Sequence, residues 1–317
     1  MRSLLAALAI VAGAAHAQSY PAKPIRFLVG YTPGGLADTF ARVMSADLQK
    51  TLGQPIVIEN RPGGSQVIAL DAGAKAPADG YTWSYGTQSG MVFTTASKKS
   101  LPYDPLKDFA AISMLFQTPL YLVVHPSVPA QNVKELIAHV KANPGKLSFA
   151  SIGLGSTQHL AMEMFVSRTG LKMVHVPYKG SAPASTDLIA GRVQAMFEGP
   201  TSSAPHIKSG KLRALATSGS ERTESFKQVP TIAESGLPGF DMASWFGVQT
   251  VAGTPRPIID RVNKDVVAWL KSPEAAKLAQ KYDLDLTPST PEQMAERIRR
   301  EIPEFMKLMR SVGIEPE

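Results

Sequence analysis

Cysteine is absent from the 317 residues. That excludes disulfides, thiol nucleophiles and thiolate-held metal sites, and it suits an oxidising compartment. After residue 17 there is also no long apolar run, so no later stretch is read as crossing a bilayer. Runs of like charge are missing as well. Basic residues outnumber acidic ones 33 to 26, a net +7, yet nothing exceeds the pairs Lys98-Lys99 and Arg299-Arg300. Without an arginine-rich arm or an aromatic RNA-binding motif, no nucleic acid partner is expected, and the basic balance points to a small anion.

Catalytic signatures are missing too. "GLGSTQH" (153–159) begins like a dinucleotide fingerprint, but Gln158 stands at the third glycine position and no acid follows at the next strand end. Gly145-Lys146 runs into Leu147, so there is no P-loop. No serine lies between glycines two residues away on both sides, which excludes a nucleophile elbow. His125, His139, His159, His175 and His206 are not spaced three or four apart, as a zinc helix requires. No calcium-loop series of carboxylates occurs. Asp283 and Asp285 lie in a charged segment read as solvated. No metal and no cofactor are expected.

What is present begins with "MRSLLAALAIVAGAAHA": one positive charge, an apolar run, and Ala15-His16-Ala17 as a small-x-small cleavage pattern. Residues 1–17 are read as a cleavable signal peptide directing export to the periplasm, and its loss with Arg2 leaves +6. Short apolar runs then alternate with helical patterns. Strands are expected at 25–29, 55–59, 81–85, 111–116, 121–125, 147–151, 172–176, 193–197 and 212–216. Helices are expected near 36–52, 66–76, 132–142, 158–169 and 181–190. In the first helix Phe40, Val43, Met44 and Leu48 share a face. This alternation predicts α/β layers with mostly parallel sheets. The last sixty residues are helix-rich and predict a helical tail on one lobe. The extended runs 118–126 and 244–253 are read as crossovers between two lobes. The first lobe is then 18–120 plus 250–317, and the second is 121–249 with the return crossover.

One local design recurs: a strand, a stretch of small polar residues, then a helix. It occurs in "VGYTPGGLAD", "SYGTQSG", "ASIGLGSTQHLAME" and "VPYKGSAPASTD". Open α/β sheets place ligands at the carboxyl ends of strands. The first N–H groups of a helix lack intrahelical partners and, with the helix dipole, attract anions. Gly34 and Gly35 allow close backbone approach and Pro33 fixes the turn. Asp38, an acid beside an expected anion site, is read first as a cap of its own helix and second as a ligand contact.

Several stretches resemble the Bug receptors, the periplasmic solute-binding proteins of tripartite tricarboxylate transporters. They are "YPAKPIRFLVGYTPGGLADTFAR", "IVIENRPGG", "ADGYTW", "HVPYKGSAPASTDLIAGRVQAMFEG", "SGKLRALATS" and "SWFGVQTVAGTP", in order, from about Tyr20 to Gly313. The resemblance implies a type II periplasmic-binding-protein fold, two α/β lobes that close on a ligand. It implies a small carboxylate held by loop backbone groups and water, and delivery to membrane subunits of the transporter by a monomeric receptor that is not an enzyme. Carried onto this sequence, the ligand-binding residues are Tyr31, Pro33, Gly34, Gly35, Leu36, Asp38, Thr87, Gln88, Ser89 and Gly90 in the first lobe. In the second they are Gly155, Ser156, Thr157, Gln158, His159, Tyr178 and Lys179. His159 is read equally as a structural residue at its helix start, and Lys179 equally as a solvated rim lysine. Leu36 stands where the family often has a small hydroxyl residue, and Gly199 where Asn commonly follows the acid at Glu198. Leu36, Met91 and Phe93 make an aromatic or longer-chain carboxylate the favoured ligand. Two rival readings share the same cleft: a receptor feeding a signalling partner, and an exported enzyme using His159, Lys179 and Glu198 for acid–base work.

Overall fold

The computed structural model describes residues 20–316 except Thr32, Gly64, Ser65, Leu154, Lys179, Val312 and Ile314. The expected signal peptide at 1–17 and the candidate Lys179 lie outside the described residues.

The chain opens with strand β1 (Ile25–Val29), helix α1 (Leu36–Leu52), β2 (Ile56–Asn60), α2 (Val67–Ala74) and β3 (Thr82–Thr87). β1 pairs in parallel with both β2 and β3, from Ile25↔Ile56 to Val29↔Asn60 on one side. α1 forms because Phe40, Ala41, Met44, Leu48 and Leu52 recur at helical spacing and bury one face. It stops at Gly53, whose φ of 71° suits a residue without Cβ. A short helix, α3 (Thr94–Ser97), then leads to β4 (Phe109–Pro119), which carries the chain into the second sheet at β5 (Tyr121–Val124).

The second lobe continues with α4 (Val133–Ala142), β6 (Ser148–Ser151), α5 (Thr157–Thr169), β7 (Val174–Pro177), α6 (Ser181–Ile189), β8 (Ala195–Glu198), α7 (Pro200–Lys208) and β9 (Arg213–Thr217). β10 (Ala243–Val251) returns the chain to the first sheet. α8 (Arg256–Leu270), α9 (Pro273–Tyr282), β11 (Asp285–Leu286) and α10 (Pro291–Ser311) follow. The sheets have the orders β11-β4-β10-β3-β1-β2 and β7-β6-β8-β5-β9.

The expected strands and helices match these elements closely, and the fold is the type II periplasmic-binding-protein fold. Three features differ from expectation. Both sheets are mixed rather than mostly parallel: β10 runs antiparallel to β3 and β4, and β5 antiparallel to β8 and β9. A strand that enters from the other lobe has no crossover helix to reverse it, so it joins in the opposite sense. Second, the return run is a strand of the first sheet along its whole length, from Ala243↔Pro119 to Val251↔Phe109, so those residues pack with the first lobe. Third, Asp283 is not simply solvated. Its carboxylate accepts from the Tyr121 hydroxyl and, at 3.2 Å, from the Ser225 N–H, tying the end of α9 to the second sheet.

The helical tail packs back as expected. Met294, Ile298, Ile302, Phe305 and Met309 of α10 are buried in one cluster with Met91, Phe93 and Trp245. Trp245 is fully buried and donates its indole N–H to Glu301 at 2.7 Å, which makes it a core residue.

Candidate functional site

The first half of the site lies at the carboxyl ends of β1 and β3. Pro33, Gly34 and Gly35 are exposed, and Leu36 is half-buried against the core beneath α1. The positive φ falls on Gly34, at 84°, whereas Gly35 is extended (φ −74°, ψ 173°) and serves as the N-cap of α1 without a side-chain cap. Asp38 is buried. Its Oδ2 accepts the Gly34 N–H and the Arg42 Nε–H, each at 2.9 Å, and its Oδ1 accepts from Asn60 Nδ2 at 2.9 Å. The Arg42 guanidinium, then the Gly34 N–H and Asn60 amide, hold this carboxyl down to about 2 against the burial that raises it. These bonds tie Asp38 to its own turn and to the end of β2.

Tyr31 and Thr87 come together through a residue that the sequence reading did not name. Gln66 is buried in the left-handed region (φ 77°), and its Nε2 donates to the Tyr31 hydroxyl at 2.8 Å and to Thr87 Oγ1 at 2.5 Å. Its Oε1 is buried without a partner. The only hint in the sequence was the turn-like "RPGGSQ". Gly30 and Gly90 must be glycine here, since a Cβ on either would meet Gln66 or Leu70 within 2.8 Å. Replacing Gln66 with Gly removes both donors and relieves the positive φ. Stability should stay within about 1 kcal/mol of the parent, while the affinity for a carboxylate falls about fivefold. Paired calorimetry and thermal melting check this; unchanged affinity would show that the Gln66 bridge is only structural.

The stretch expected as a loop after β3 is instead a π-helical turn, Gln88–Phe93, begun by Thr87 Oγ1 accepting the Gly90 N–H at 3.2 Å. Most of its residues are buried. Gln88 is buried and reaches Glu301 of α10 at 3.3 Å, beside a cavity of about 500 Å³ also lined by Met164, Asp241 and Arg297. Ser89 is half-buried and offers its carbonyl to Thr94 Oγ1; the Gly90 carbonyl accepts the Tyr103 hydroxyl. Met91 and Phe93 are buried core residues, with Phe93 4.7 Å from the Phe305 ring. Core packing already uses the apolar surface of both, so neither favours an aromatic ligand.

The second half lies at the carboxyl ends of β6, β7 and β8. Ser156 caps α5 by accepting the His159 N–H at 3.3 Å. Thr157 is buried and bonds Ser244 at the start of β10, at 3.1 Å. His159 is buried, and its Nδ1 accepts the Gly155 N–H at 3.2 Å. Its ring stacks on His175, which sequence spacing gave no reason to select. Ser181 donates to Glu198, a buried carboxylate that also accepts the Gly199 N–H at 2.7 Å, and Gln158 lies beside it. Burial pushes this carboxyl up, against those hydrogen bonds, and its Oε2 has no partner. Tyr178 donates to Asp187 at 2.8 Å. Among the described residues, no hydrogen bond joins His159 to Glu198, or Tyr31 and Gly34 to the second half.

The two halves share one chemistry. α1, α6 and α7 begin at Gly35, Gly180 and Gly199, and none of these N-caps supplies a side-chain acceptor. Each helix follows the loop after a strand and starts without a side-chain cap, in a position suited to negative oxygen. Among the described residues no cluster of His, Asp and Glu is arranged to hold a metal ion, and no helix is long and apolar enough to cross a membrane.

This is the architecture of a two-lobed solute receptor. Residues 40–314 match the Tripartite tricarboxylate transporter family receptor, and the chain belongs to that family. It is 39% identical to Protein BugT of Bordetella pertussis over 320 residues, covering 99% of this chain and 98% of that one. A solved structure of R. palustris Rpa4515 with adipate superposes with a TM-score of 0.81 at 35% identity, covering 94% of this chain and 100% of the other. MatC from Rhodopseudomonas palustris with bound malate gives 0.75 at 29% identity, covering 91% and 99%.

Proposed function

We propose that this receptor captures an aliphatic dicarboxylate in the periplasm and hands it to the membrane subunits of a tripartite tricarboxylate-type transporter. The observation that carries the reading is the set of helix starts α1, α6 and α7, each at a glycine N-cap without a side-chain acceptor and drawn from both lobes. Two separated groups of N–H donors suit a ligand with a carboxylate at each end. The relatives with adipate and with malate support that class. Removing Met91 and Phe93 from the lining weakens the case for an aromatic acid. The signal-like residues 1–17 support export. Tyr31, Thr87 and Gly155–Ser156 are assigned to the cleft with the glycine turns, and Gln88 is assigned to the α10 side. The ligand leaves unaltered.

Titration calorimetry against adipate, malate, citrate and benzoate tests this, with recovered ligand analysed by mass spectrometry. A dicarboxylate should bind best, with a Kd near about 1 μM, or about −8 kcal/mol. Tighter binding of benzoate, or ligand recovered chemically changed, would overturn it.

A further inference from the structure

The loop from Gly153 to Ser156 is braced by two histidines. His159 Nδ1 accepts the Gly155 N–H at 3.2 Å, so that nitrogen carries no proton. The neutral ring then holds its proton on Nε2, 3.6 Å from the Glu163 carboxylate. The His175 ring lies 4.0 Å from the His159 ring, nearly parallel at 17°, and 4.9 Å from the Phe149 ring. His175 Nε2 meets Ser151 Oγ at 2.7 Å, and Ser151 Oγ in turn accepts the Gly153 N–H at 3.2 Å. One histidine therefore holds Gly155 directly and the other holds Gly153 through a serine. Both glycines have positive φ, 134° at Gly153 and 71° at Gly155, a path that residues without Cβ take freely, so the outside bonds select it from the many conformations open to glycine.

A proton on His175 sets a cation against the stacked His159 ring and makes its Nε2 a donor toward Ser151 Oγ, which disturbs the contacts that hold the loop. We infer that the stacked pair His159–His175 positions the ligand loop of the second lobe, holding Gly153 and Gly155 in binding shape only while the His175 ring is neutral. His159 is thereby a positioning residue, and His175 joins it. The inference rests on the proposed dicarboxylate site.

The surroundings give the direction. Among the described residues the charged or titratable groups acting on His175 are His159 and Glu163, both on α5; β6 presents only the Phe149 ring and the Ser151 hydroxyl. Burial, then His159, lowers His175 to about 4, with Glu163 opposing. A loosened loop exposes the ring and returns it toward its ordinary value of about 6.5. The braced loop thus has its full advantage above about pH 6.5, and acid erodes it down to about pH 4, by up to tenfold per pH unit.

Two measurements on the full chain test this. In the first, adipate affinity is measured near pH 7.5 and near pH 5 for the parent, His175→Phe, His159→Asn and His159→Phe, with thermal melting beside each. Comparing proteins at one pH cancels the ligand's own titration. His175→Phe keeps a flat ring without a titrating nitrogen, so its affinity relative to the parent should rise about tenfold on acidification. His159→Asn retains an acceptor for Gly155 and should bind within about threefold of the parent, whereas His159→Phe loses about tenfold. In the second, without ligand, the amide resonances of Gly153 and Gly155 should titrate between about pH 7 and pH 4 in the parent and not in His175→Phe. A parent that binds no dicarboxylate yet shows this titration strikes the proposed function and leaves the brace standing. Glycine resonances that ignore pH, or an affinity ratio that is flat with pH, overturn the brace.

Discussion

Gly35→Val should lose about a hundredfold in dicarboxylate affinity, near 2.7 kcal/mol, while melting close to the parent. Gly35 is exposed and extended, a backbone state that any residue adopts, so valine adds no strain. The helix behind it remains anchored by Phe40, Met44 and Leu48. Valine does, however, place a branched Cβ beside the first N–H groups of α1, where a carboxylate oxygen must come within hydrogen-bond range. Gly34→Val should act differently. Its φ of 84° penalises any Cβ, although nothing lies within 4 Å of one, so the cost of about 1–2 kcal/mol should appear in stability. The pair separates ligand approach from backbone strain within a single turn. If Gly35→Val binds like the parent, the turn is only a turn and the anion is held elsewhere.

Most of the fold could be read because its determinants are local. α1 and α4 carry their own helical periodicity, and helix starts such as Gly35-Leu36 and Ser156-Thr157 advertise themselves through small residues ahead of the helix. What could not be read depends on residues brought together from afar. His159 and His175 stand sixteen positions apart on neighbouring elements, and no spacing rule links them. Gln66 resembles an ordinary turn residue until β1 and β3 bring Tyr31 and Thr87 to its amide. The Gln88–Phe93 segment misled for a different reason. Small polar residues after a strand suggest a loop, and no pattern announced a π-helical turn that sends Gln88 to α10 and Phe93 into the core. The direction of the crossing strands was also hidden, because apolar runs such as β10 read alike in parallel and antiparallel sheets.

Asp38→Asn should cost about 2 kcal/mol of stability and leave affinity nearly unchanged, and its effect should vanish in acid. The carboxylate receives three donors, Gly34 N–H and Arg42 on one oxygen and Asn60 on the other. An amide satisfies only one side; its own N–H₂ then faces a donor, at a buried position. The folded protein holds Asp38 near 2, below its ordinary 3.8, chiefly through Arg42. A depressed carboxyl stabilises the fold above its unfolded value, so the advantage over Asn is complete above about pH 4 and is lost as pH falls through 2. This window lies below that of His175, so the two acid responses can be told apart in one pH series of melting curves. Screening by salt should trim the gap only modestly, because Arg42 is half exposed while its partner is buried. Should the gap persist at pH 2, the Arg42 pair is not its source. If instead affinity drops while melting is unmoved, Asp38 reaches the ligand through water, and the first-lobe half of the site includes an acid held ionised beside the ligand's own carboxylate.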